Sequence, residues 1–374
     1  MSNPWVVPAQ PVVLNYRCRS AEAAAKIPLR DLHLVECSQC GLIFNASFDE
    51  NLIHYDADYD NIQSYSEAFQ RHVSSCIIHL TENYSSPTAG SVVVEAGCGK
   101  GAYLKQLCAI SGWHGRGYDT TCEIVGESDH NTFFIKRRAT EHDIHGNVHA
   151  IVCRHVIEHV SDVGAFLRLL HSMAVAGGAE VIYIETPAWE WTVENEAFWD
   201  IFHEHCNYFT SETLRHLAEQ AGFRVLEHFT TFGGQYQSLY LGTGAASSAP
   251  DLGSPPPVSL HAFALQAGEA HERLLQTLTA AGASAHPYAI WGAGAKGVTL
   301  ANRLHHAKLA PSVIIDSNPG KSGSFVPGVG IPVHTPRAEV LRDVPLILVP
   351  NPNYLPEIKA TLTSMGLNPT LVTV

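Results

Sequence analysis

Two short apolar runs in this chain each end in a glycine-rich turn and continue into a helical pattern. The first is VVVEAGCGKGAYL at residues 92–104, and the second begins as YAIWGAGAKG at residues 288–297. Glycine lets a backbone turn sharply after a strand and lets it approach a ligand closely. Because strand, glycine turn and helix follow one another in both halves, the sequence predicts two α/β domains of the nucleotide-binding type.

The segments around these turns support an α/β organisation. Between residues 90 and 243, the apolar runs SVVVEA, HAIVCRHV and AEVIYIET alternate with helical spacing in LKQLCAI, VGAFLRLLHSMA and SETLRHLAEQAG. Such alternation predicts βαβ units and a mostly parallel sheet. In a chain of 374 residues we expect a small knuckle-like and helical module at 1–85, a Rossmann-like domain at 86–243, a Gly/Ser/Pro-rich linker at 244–257 and a second Rossmann-like domain at 258–374.

Charge and hydropathy narrow the partners. The formal charge is −13, from 23 basic and 36 acidic side chains, whereas a nucleic-acid-binding surface needs clustered basic residues. No apolar run reaches the length of a membrane span, and MSNPWVVPAQ lacks the features of a signal peptide. We therefore expect a cytoplasmic protein with neither nucleic acid nor membrane as a partner. The odd number of cysteines, nine, favours reduced thiols.

The first glycine turn carries an acid before it and a second acid about twenty residues later, where GRGYD ends. A tight turn without a ligand is the alternative interpretation. The ExGxGxG pattern resembles motif I of the class I S-adenosylmethionine-dependent methyltransferases. This resemblance implies that Gly97, Gly99 and Gly101 line the cofactor, that Glu95 lies beside them and that Asp119 binds the ribose hydroxyls.

The segment RHVIEHV at residues 154–160 resembles the fourth-strand motif of the same superfamily. By that resemblance Arg154 and His155 leave the strand end beside the cofactor, whereas Glu158 and His159 organise the following loop and helix start. For each of these side chains, a buried and hydrogen-bonded structural role is the alternative.

The order of motifs along the chain is more specific than any one of them. It runs from CxxCG through YSEAFQRH, motif I, RHVIEHV, IETP, HEHCNYF and GGQ to GAGAKG and DSNPGKSGSFVPGVGIPV. This order is similar to that of the three-domain C-methyltransferases, whose best-known members methylate nucleotide-linked 4-keto-deoxysugars. The resemblance covers nearly the whole chain. It implies S-adenosylmethionine as cofactor and a small-molecule acceptor, such as a nucleotide sugar, that is methylated at a carbon next to a carbonyl.

The chemistry of such a reaction explains the segment HEH at residues 203–205. Carbon becomes nucleophilic only when a base removes a proton next to a carbonyl, and histidine has a pKa suited to that task. By resemblance His205 is the base, Glu204 is its close partner and His203 contacts the substrate. Metal binding and a purely structural role are the alternatives, although HEH is not the HExxH pattern of zinc proteases.

One position departs from the sugar-methylating enzymes, which commonly have tyrosine where this chain has Phe202. A phenol can donate a hydrogen bond to a developing oxyanion, whereas a phenyl ring cannot. Tyr208 and Tyr65 are the candidates that replace it. The departure leaves the methyltransferase prediction in place and weakens the keto-sugar prediction.

The N-terminal cysteines raise the question of zinc. The sugar-methylating enzymes carry two CxxC pairs, and zinc takes four nitrogen or sulfur ligands. This chain keeps Cys37 and Cys40, but the first pair is reduced to Cys18. Three thiolates with His33 could form a zinc site, or the knuckle could keep its shape without a metal.

The second glycine turn, WGAGAKG, suggests a phosphate cradle at a helix N-terminus. Lys296 in this turn and Asp316 at the end of the next strand are therefore candidate substrate contacts. A domain that only packs and closes the site is the alternative. Two rival functions also remain open, namely methylation of oxygen or nitrogen in another small metabolite and a non-catalytic S-adenosylmethionine-binding protein.

Overall fold

A computed structural model describes residues 4–53, 58–84, 90–144, 147–244 and 259–374. In these ranges the strands are, in chain order, β1 (Trp5–Pro11), β2 (Leu29–Glu36), β3 (Ile43–Asn45), β4 (Val92–Ala96), β5 (His114–Tyr118), β6 (Gly126–Ser128), β7 (Thr132–Ile135), β8 (Val148–Arg154), β9 (Val181–Pro187), β10 (Asn207–Tyr208), β11 (Phe223–Thr231), β12 (Tyr236–Thr243), β13 (Tyr288–Trp291), β14 (Val313–Ile315), β15 (Val333–His334), β16 (Leu346–Val349) and β17 (Thr370–Thr373).

The α-helices in the same ranges are α1 (Ala21–Ala25), α2 (Glu67–Asn83), α3 (Ala102–Ser111), α4 (Val163–Gly177), α5 (Trp189–Glu194), α6 (Ser211–Gln220), α7 (Leu260–Ala280), α8 (Ala295–His306), α9 (Ala338–Leu341) and α10 (Leu355–Ser364). Short 3-10 turns lie at Glu50–Leu52, Glu141–Asp143, Ile157–His159, Phe198–Asp200, Pro319–Lys321 and Pro352–Tyr354. Within the described residues no helix combines the length and the apolar character that crossing a membrane requires.

The central domain is built on an eight-stranded sheet with the order β11-β12-β9-β8-β4-β5-β7-β6. Strands β9, β8, β4, β5 and β7 are parallel, and β12 joins them antiparallel at β9. Every residue of β8 is buried, because helices cover both faces of a parallel sheet. This confirms the predicted strands at SVVVEA, HAIVCRHV and AEVIYIET.

The C-terminal domain has a five-stranded parallel sheet with the order β15-β14-β13-β16-β17. The direction of strand addition reverses between β13 and β16. In such a sheet, ligands bind at the carboxyl ends of the two strands on either side of the reversal. The turn after β13 is the predicted WGAGAKG, so the fold places this glycine turn where a doubly wound sheet binds its ligand.

The N-terminal part forms a four-stranded sheet with the order β1-β2-β3-β10. Its last strand comes from the central domain, since Asn207 and Tyr208 pair with Phe44 and Ile43. Helix α2 lies in the predicted N-terminal module but packs against the central domain. Its buried apolar side chains, among them Ile77, share a core with Val93 of β4. Packing therefore divides the chain before α2, and the predicted boundary at residue 85 lies too late.

One apolar core joins all three parts. It contains Leu32 of the N-terminal sheet, Trp189 and Phe198 of the central domain, Phe263 of α7 and Ile290 of β13. Helix α7 follows the predicted linker and contributes its buried face to this core. Apart from Gly244, the predicted linker at 244–257 lies outside the described residues.

Candidate active site

The first glycine turn connects β4 to α3 and holds three glycines in the left-handed region of backbone space. Gly97 and Gly101 have φ of 83°, and Gly99 has φ of 52°. A Cβ atom on Gly97 would lie 2.1 Å from Val156, and one on Gly101 would lie 2.4 Å from Phe134. A Cβ atom on Gly99 would meet no described atom within 4 Å. Packing therefore requires two of the glycines, whereas Gly99 leaves open space that a ligand can occupy.

Two carboxylates flank this turn. Asp119 accepts hydrogen bonds from the backbone N–H of Gly99 at 2.9 Å and from that of Thr121 at 2.7 Å. Glu95 is buried, and its Oε2 atom has no hydrogen-bond partner among the described residues. Burial raises the pKa of Glu95 to about 8. A buried carboxyl oxygen without a partner, beside an open turn, suits a ligand that brings its own hydrogen-bond donors.

A third carboxylate, Glu185, was not predicted as a site residue, although it ends the apolar run IET. Its Oε1 atom lies 2.6 Å from Arg154 Nη2 and 3.0 Å from His155 Nε2, and its Oε2 atom lies 2.9 Å from His72 Nε2. Burial alone would raise the pKa of Glu185, but Arg154 and the histidines hold it well below its usual value. A fully buried carboxylate therefore has cationic or hydrogen-bonding partners on both oxygens.

The position of Arg154 favours the alternative prediction for this residue, a buried and hydrogen-bonded structural role. Its guanidinium is buried, pairs with Glu185 and stacks 4.3 Å from the centre of the Tyr103 ring. A buried guanidinium needs such partners because it has left water. His155, in contrast, has φ of 53° and reaches the surface of the cleft described next.

A cleft of ≈ 250 Å³ lies where the three parts of the chain meet. Its lining includes side chains from each part, among them Tyr59, Tyr65, His155, His205, Lys296 and Tyr354. His155 directly precedes Val156, the residue that packs against Gly97. The cleft therefore reaches the second glycine turn, and His155 links its wall to the residue that packs against the first glycine turn.

The loop HEH lies between the 3-10 turn Phe198–Asp200 and β10, and its side chains enter different surroundings. His203 is 0% exposed, and neither ring nitrogen has a hydrogen-bond partner among the described residues. Its ring centre lies 5.5 Å from that of Phe48, and burial lowers its pKa. His203 is not among the residues that line the cleft. Its burial favours the alternative prediction, a structural role inside the protein, over a substrate contact.

Glu204 also differs from its predicted role as the partner of His205. Its Oε1 atom accepts a hydrogen bond from the Leu14 backbone N–H at 2.7 Å, and its Oε2 atom accepts one from the Tyr59 hydroxyl at 3.3 Å. Burial raises the pKa of Glu204. Its carboxylate thus anchors the N-terminal segment to the loop, and a backbone donor far along the sequence could not be foreseen from HEH.

His205 lies in the cleft with its ring against two other rings. Ring centres are separated by 4.2 Å from Phe202 and by 4.8 Å from His159. Burial lowers the pKa of His205 well below its usual value, and the charges of His159 and Lys296 act in the same direction. The imidazole is therefore uncharged near neutral pH and has a free electron pair to accept a proton.

Glu158 and His159 bring titratable side chains close to His205. One ligand-type atom from each of these three residues lies within 4.8 Å of the others. His159 Nδ1 donates a hydrogen bond to the Glu204 carbonyl oxygen at 2.7 Å, which orients the ring beside His205. One carboxylate and two imidazoles at this spacing suit either proton transfer or the binding of a divalent cation. The sequence RHVIEHV contained both residues, but only the fold brings them to His205.

The two tyrosines predicted as oxyanion donors, Tyr208 and Tyr65, lie in different surroundings. The Tyr208 hydroxyl accepts a hydrogen bond from the Phe202 backbone N–H and donates one to the Phe202 carbonyl, both at 3.1 Å. Tyr208 is buried outside the lining of the cleft, so the structure does not support its predicted role as an oxyanion donor. Tyr65 is 50% exposed and lines the cleft, which is compatible with its prediction.

The candidate residues of the second glycine turn are both engaged. Lys296 forms an ion pair with Asp200 and lies 4.5 Å from the centre of the Trp191 ring, while still lining the cleft. Asp316 accepts hydrogen bonds from the backbone N–H of Ala293 at 2.7 Å and of Asn318 at 2.8 Å. Asp316 thus supports the second turn as Asp119 supports the first.

Two known protein families match separate parts of the chain. Residues 69–228 match the family described as "Methyltransferase domain", and residues 252–366 match the "C-methyltransferase C-terminal domain". The chain is an S-adenosylmethionine-dependent methyltransferase. The two matched domains confirm the predicted resemblance to the C-methyltransferases, and the first match begins inside α2, in agreement with the packing of that helix.

Individual relatives of this methyltransferase are distant. The curated protein "C-methyltransferase NovU" from Streptomyces niveus is 24% identical over 354 residues, which covers 87% of this chain and 81% of the relative. Among solved structures, a magnesium protoporphyrin IX methyltransferase from Synechocystis has 15% identity and a TM-score of 0.38, and covers 50% of this chain and 88% of its own. A cyclopropane synthase from Mycobacterium tuberculosis has 12% identity and a TM-score of 0.35, with coverages of 50% and 72%. The assignment rests on the domain matches.

The methyltransferase does not assemble the predicted three-thiolate zinc site. Cys37 and Cys40 lie on the turn between β2 and β3, whereas Cys18 is buried in a bridge with Phe325 of the C-terminal domain. Within the described residues, Cys18, Cys37 and Cys40 do not form a group of three close ligand atoms. Burial also raises the pKa of Cys18 to about 11, which opposes the thiolate form that zinc requires.

Proposed function

We propose that this methyltransferase transfers the methyl group to a carbon next to a carbonyl of a small-molecule acceptor, such as a nucleotide-linked keto-deoxysugar. His205 is the proposed general base. The observation that carries the proposal is the position of this uncharged imidazole in a cleft between the methyltransferase domain and the domain that matches the C-methyltransferases.

The cofactor supplies an electrophilic methyl group on a sulfonium. We assign its binding to Gly97, Gly99, Gly101 and Asp119, with Glu95 accepting from its donors. Gly99 offers space, Glu95 offers an unpartnered oxygen, and Asp119 holds the turn in place. The open space at Gly99 and the unpartnered oxygen of Glu95 support the family-derived expectation for these two residues.

His205 then accepts the proton of the acceptor carbon. The ring is uncharged before the reaction because burial lowers its pKa. After proton transfer it becomes a cation, and the nearby Glu158 carboxylate stabilises that charge. This role for Glu158 replaces the one that the sequence suggested for Glu204, whose oxygens are occupied by Leu14 and Tyr59.

The acceptor oxygen also needs a partner, because negative charge develops there as the proton leaves. Phe202 cannot donate, and the Tyr208 hydroxyl is bonded to the backbone of its own loop. Lys296 and Tyr65 both line the cleft and carry suitable donors. We propose that these two residues stabilise the developing oxyanion.

A pair of measurements tests the proposal. Methyl transfer from labelled S-adenosylmethionine to a thymidine-diphosphate 4-keto-6-deoxyhexose is followed for the wild type and for His205→Gln. In parallel, loss of the acceptor's α-proton to deuterated water is followed by NMR. We expect transfer and proton exchange in the wild type, and a fall of both by at least about 100-fold in the variant, typical of losing a general base.

The controls separate the base from the binding sites. Cofactor affinity, measured by calorimetry, should be unchanged within about twofold in His205→Gln, because the residue lies outside the first glycine turn. Retained α-proton exchange in His205→Gln would remove His205 as the base. Transfer without any α-proton exchange in the wild type would favour methylation of oxygen or nitrogen and overturn the assignment to carbon.

A further inference from the structure

Two cysteines face one another beside the first glycine turn. Cys98 lies between Gly97 and Gly99, and Cys122 lies in the loop that follows Asp119. Both thiols are buried and free, and their Sγ atoms are 3.7 Å apart. Neither sulfur has a part in the proposed methyl transfer, so their proximity calls for a separate explanation.

We propose that Cys98 and Cys122 form an oxidation-sensitive dithiol, which hydrogen peroxide converts into a disulfide that weakens the binding of S-adenosylmethionine. The effect on binding rests on the proposed role of the glycine turn and Asp119 in holding the cofactor. The site is a modification site, and its co-reactant is a small peroxide.

The local geometry permits the bond. A disulfide has a sulfur–sulfur distance of about 2.05 Å, so the two Sγ atoms must approach by roughly 1.7 Å. Cys98 is followed by Gly99, which has φ of 52° and open space beside it, so the backbone on that side of the cysteine has room to adjust. Gly117 provides room for the thiol, since a Cβ atom there would lie only 2.7 Å from Cys98 Sγ.

The two sulfurs have unequal chemistry, which sets the order of the steps. A hydrogen bond with Cys98 lowers the pKa of Cys122, so Cys122 supplies the thiolate. The thiolate attacks one peroxide oxygen, the O–O bond breaks, and after protonation a sulfenic acid and one water form. Cys98 then attacks the sulfenic sulfur, the S–O bond breaks, and the hydroxyl leaves with the Cys98 proton as a second water. The two thiols lose two electrons, and the peroxide gains them.

The consequence for the cofactor follows from Asp119. Its carboxylate joins the turn that carries Cys98 to the loop that carries Cys122, with bonds of 2.9 Å to Gly99 N and 2.7 Å to Thr121 N. Drawing the two sulfurs together shifts both segments relative to this carboxylate. Oxidised protein should therefore bind S-adenosylmethionine more weakly, and bound cofactor should slow the oxidation.

The experiment treats the full chain with hydrogen peroxide, alkylates the remaining thiols and searches the digest for a Cys98–Cys122 linked peptide. Cofactor affinity is measured by calorimetry before oxidation, after oxidation and after dithiothreitol. We expect the linked peptide, a loss of affinity of at least about tenfold, recovery on reduction and slower linkage when S-adenosylmethionine is present. The affinity of Cys122→Ser should not respond to peroxide, whereas Cys108→Ser, which changes another buried thiol of the same core, should respond as the wild type does.

Two results would overturn the proposal. The first is peroxide-treated wild type whose other thiols are oxidised while Cys98 and Cys122 remain unlinked. The second is linked protein that binds S-adenosylmethionine with unchanged affinity. Reduced wild type that binds no S-adenosylmethionine would instead remove the assigned cofactor site, and with it both the proposed function and this inference.

Discussion

Lys296 of the C-terminal domain and Asp200 of the central domain form an ion pair inside the cleft. Lys296 Nζ also lies 4.5 Å from the centre of the Trp191 ring. Burial lowers the pKa of Lys296, and Asp200 opposes that effect. Two oppositely charged groups that have left water together are therefore held at the point where the two domains meet.

We predict that Lys296→Met lowers the free energy of unfolding by about 3–5 kcal/mol, because it leaves Asp200 as an unpaired buried charge. The double variant Lys296→Met/Asp200→Asn should recover most of that loss. Urea unfolding measures both effects. As a control, Arg71→Met removes an exposed pair with Glu67 and should change the free energy by less than about 1 kcal/mol. If the double variant regains stability but not methyl transfer, Lys296 also acts on the acceptor.

Tyr208→Phe should destabilise the protein by about 1–3 kcal/mol, because the Phe202 backbone N–H and carbonyl lose the hydroxyl that bonds both. We expect a lower Tm and a kcat within about threefold of the wild type. The matched change Tyr65→Phe should leave Tm unchanged, since Tyr65 is half exposed, and should lower kcat if its hydroxyl contacts the oxyanion. A large loss of kcat in Tyr208→Phe with an unchanged Tm would contradict the structural role of that hydroxyl.

The glycines of the first turn should respond differently to alanine. Gly101→Ala combines a positive φ with a contact at 2.4 Å to Phe134, so we expect a loss of about 2–5 kcal/mol in stability. Gly99→Ala has a positive φ but open space, and should cost only about 1–2 kcal/mol. Its methyl group would occupy the space assigned to the cofactor, so S-adenosylmethionine affinity should fall by at least about tenfold. Thermal unfolding and calorimetry separate the two outcomes, and unchanged affinity in Gly99→Ala would move the cofactor away from this turn.

We expect the free energy of unfolding to decrease as pH rises, because His155 then loses its proton. Burial lowers its pKa, but hydrogen bonds and charge from Glu158 and Glu185 outweigh burial and raise the pKa from 6.5 to about 9. Because the folded-state pKa is the higher one, the contribution is fully present below about pH 6.5 and is lost as pH rises through about 9. Urea unfolding at pH 6, 7.5 and 9.5 should show this decline, and His155→Gln should flatten it. An equally steep decline in the variant would assign the effect to another group.

The sequence predicted those features that depend on local physics. Apolar runs of β-branched residues became β4, β8 and β9, and each glycine turn lies at the carboxyl end of its strand, because strand periodicity and left-handed turns are set by neighbouring residues. The motif order predicted the family and its cofactor, and the two domain matches confirm both.

Pairings between distant residues could not be predicted in this way. Glu204 was expected to serve His205, but a backbone donor at Leu14, from the N-terminal segment, takes its carboxylate. Glu158 lies near His205 only because the loop after β8 and the loop before β10 meet in space. The zinc prediction came from the resemblance to enzymes with two CxxC pairs, and the fold pairs the backbone of Cys18 with that of Phe325 in the C-terminal domain.

Strand β10 begins two residues after His205, and it completes a sheet whose other three strands come from the first 45 residues. The loop that carries the proposed base is thus joined by strand pairing to the N-terminal sheet. On its other side it faces the C-terminal domain across the cleft. In a chimeric enzyme that exchanges only the C-terminal domain, one side of the cleft would come from the other parent. The proposed base would still be positioned by the original N-terminal sheet. Recombination that aims at new acceptors should therefore inherit the first and last segments from the same parent.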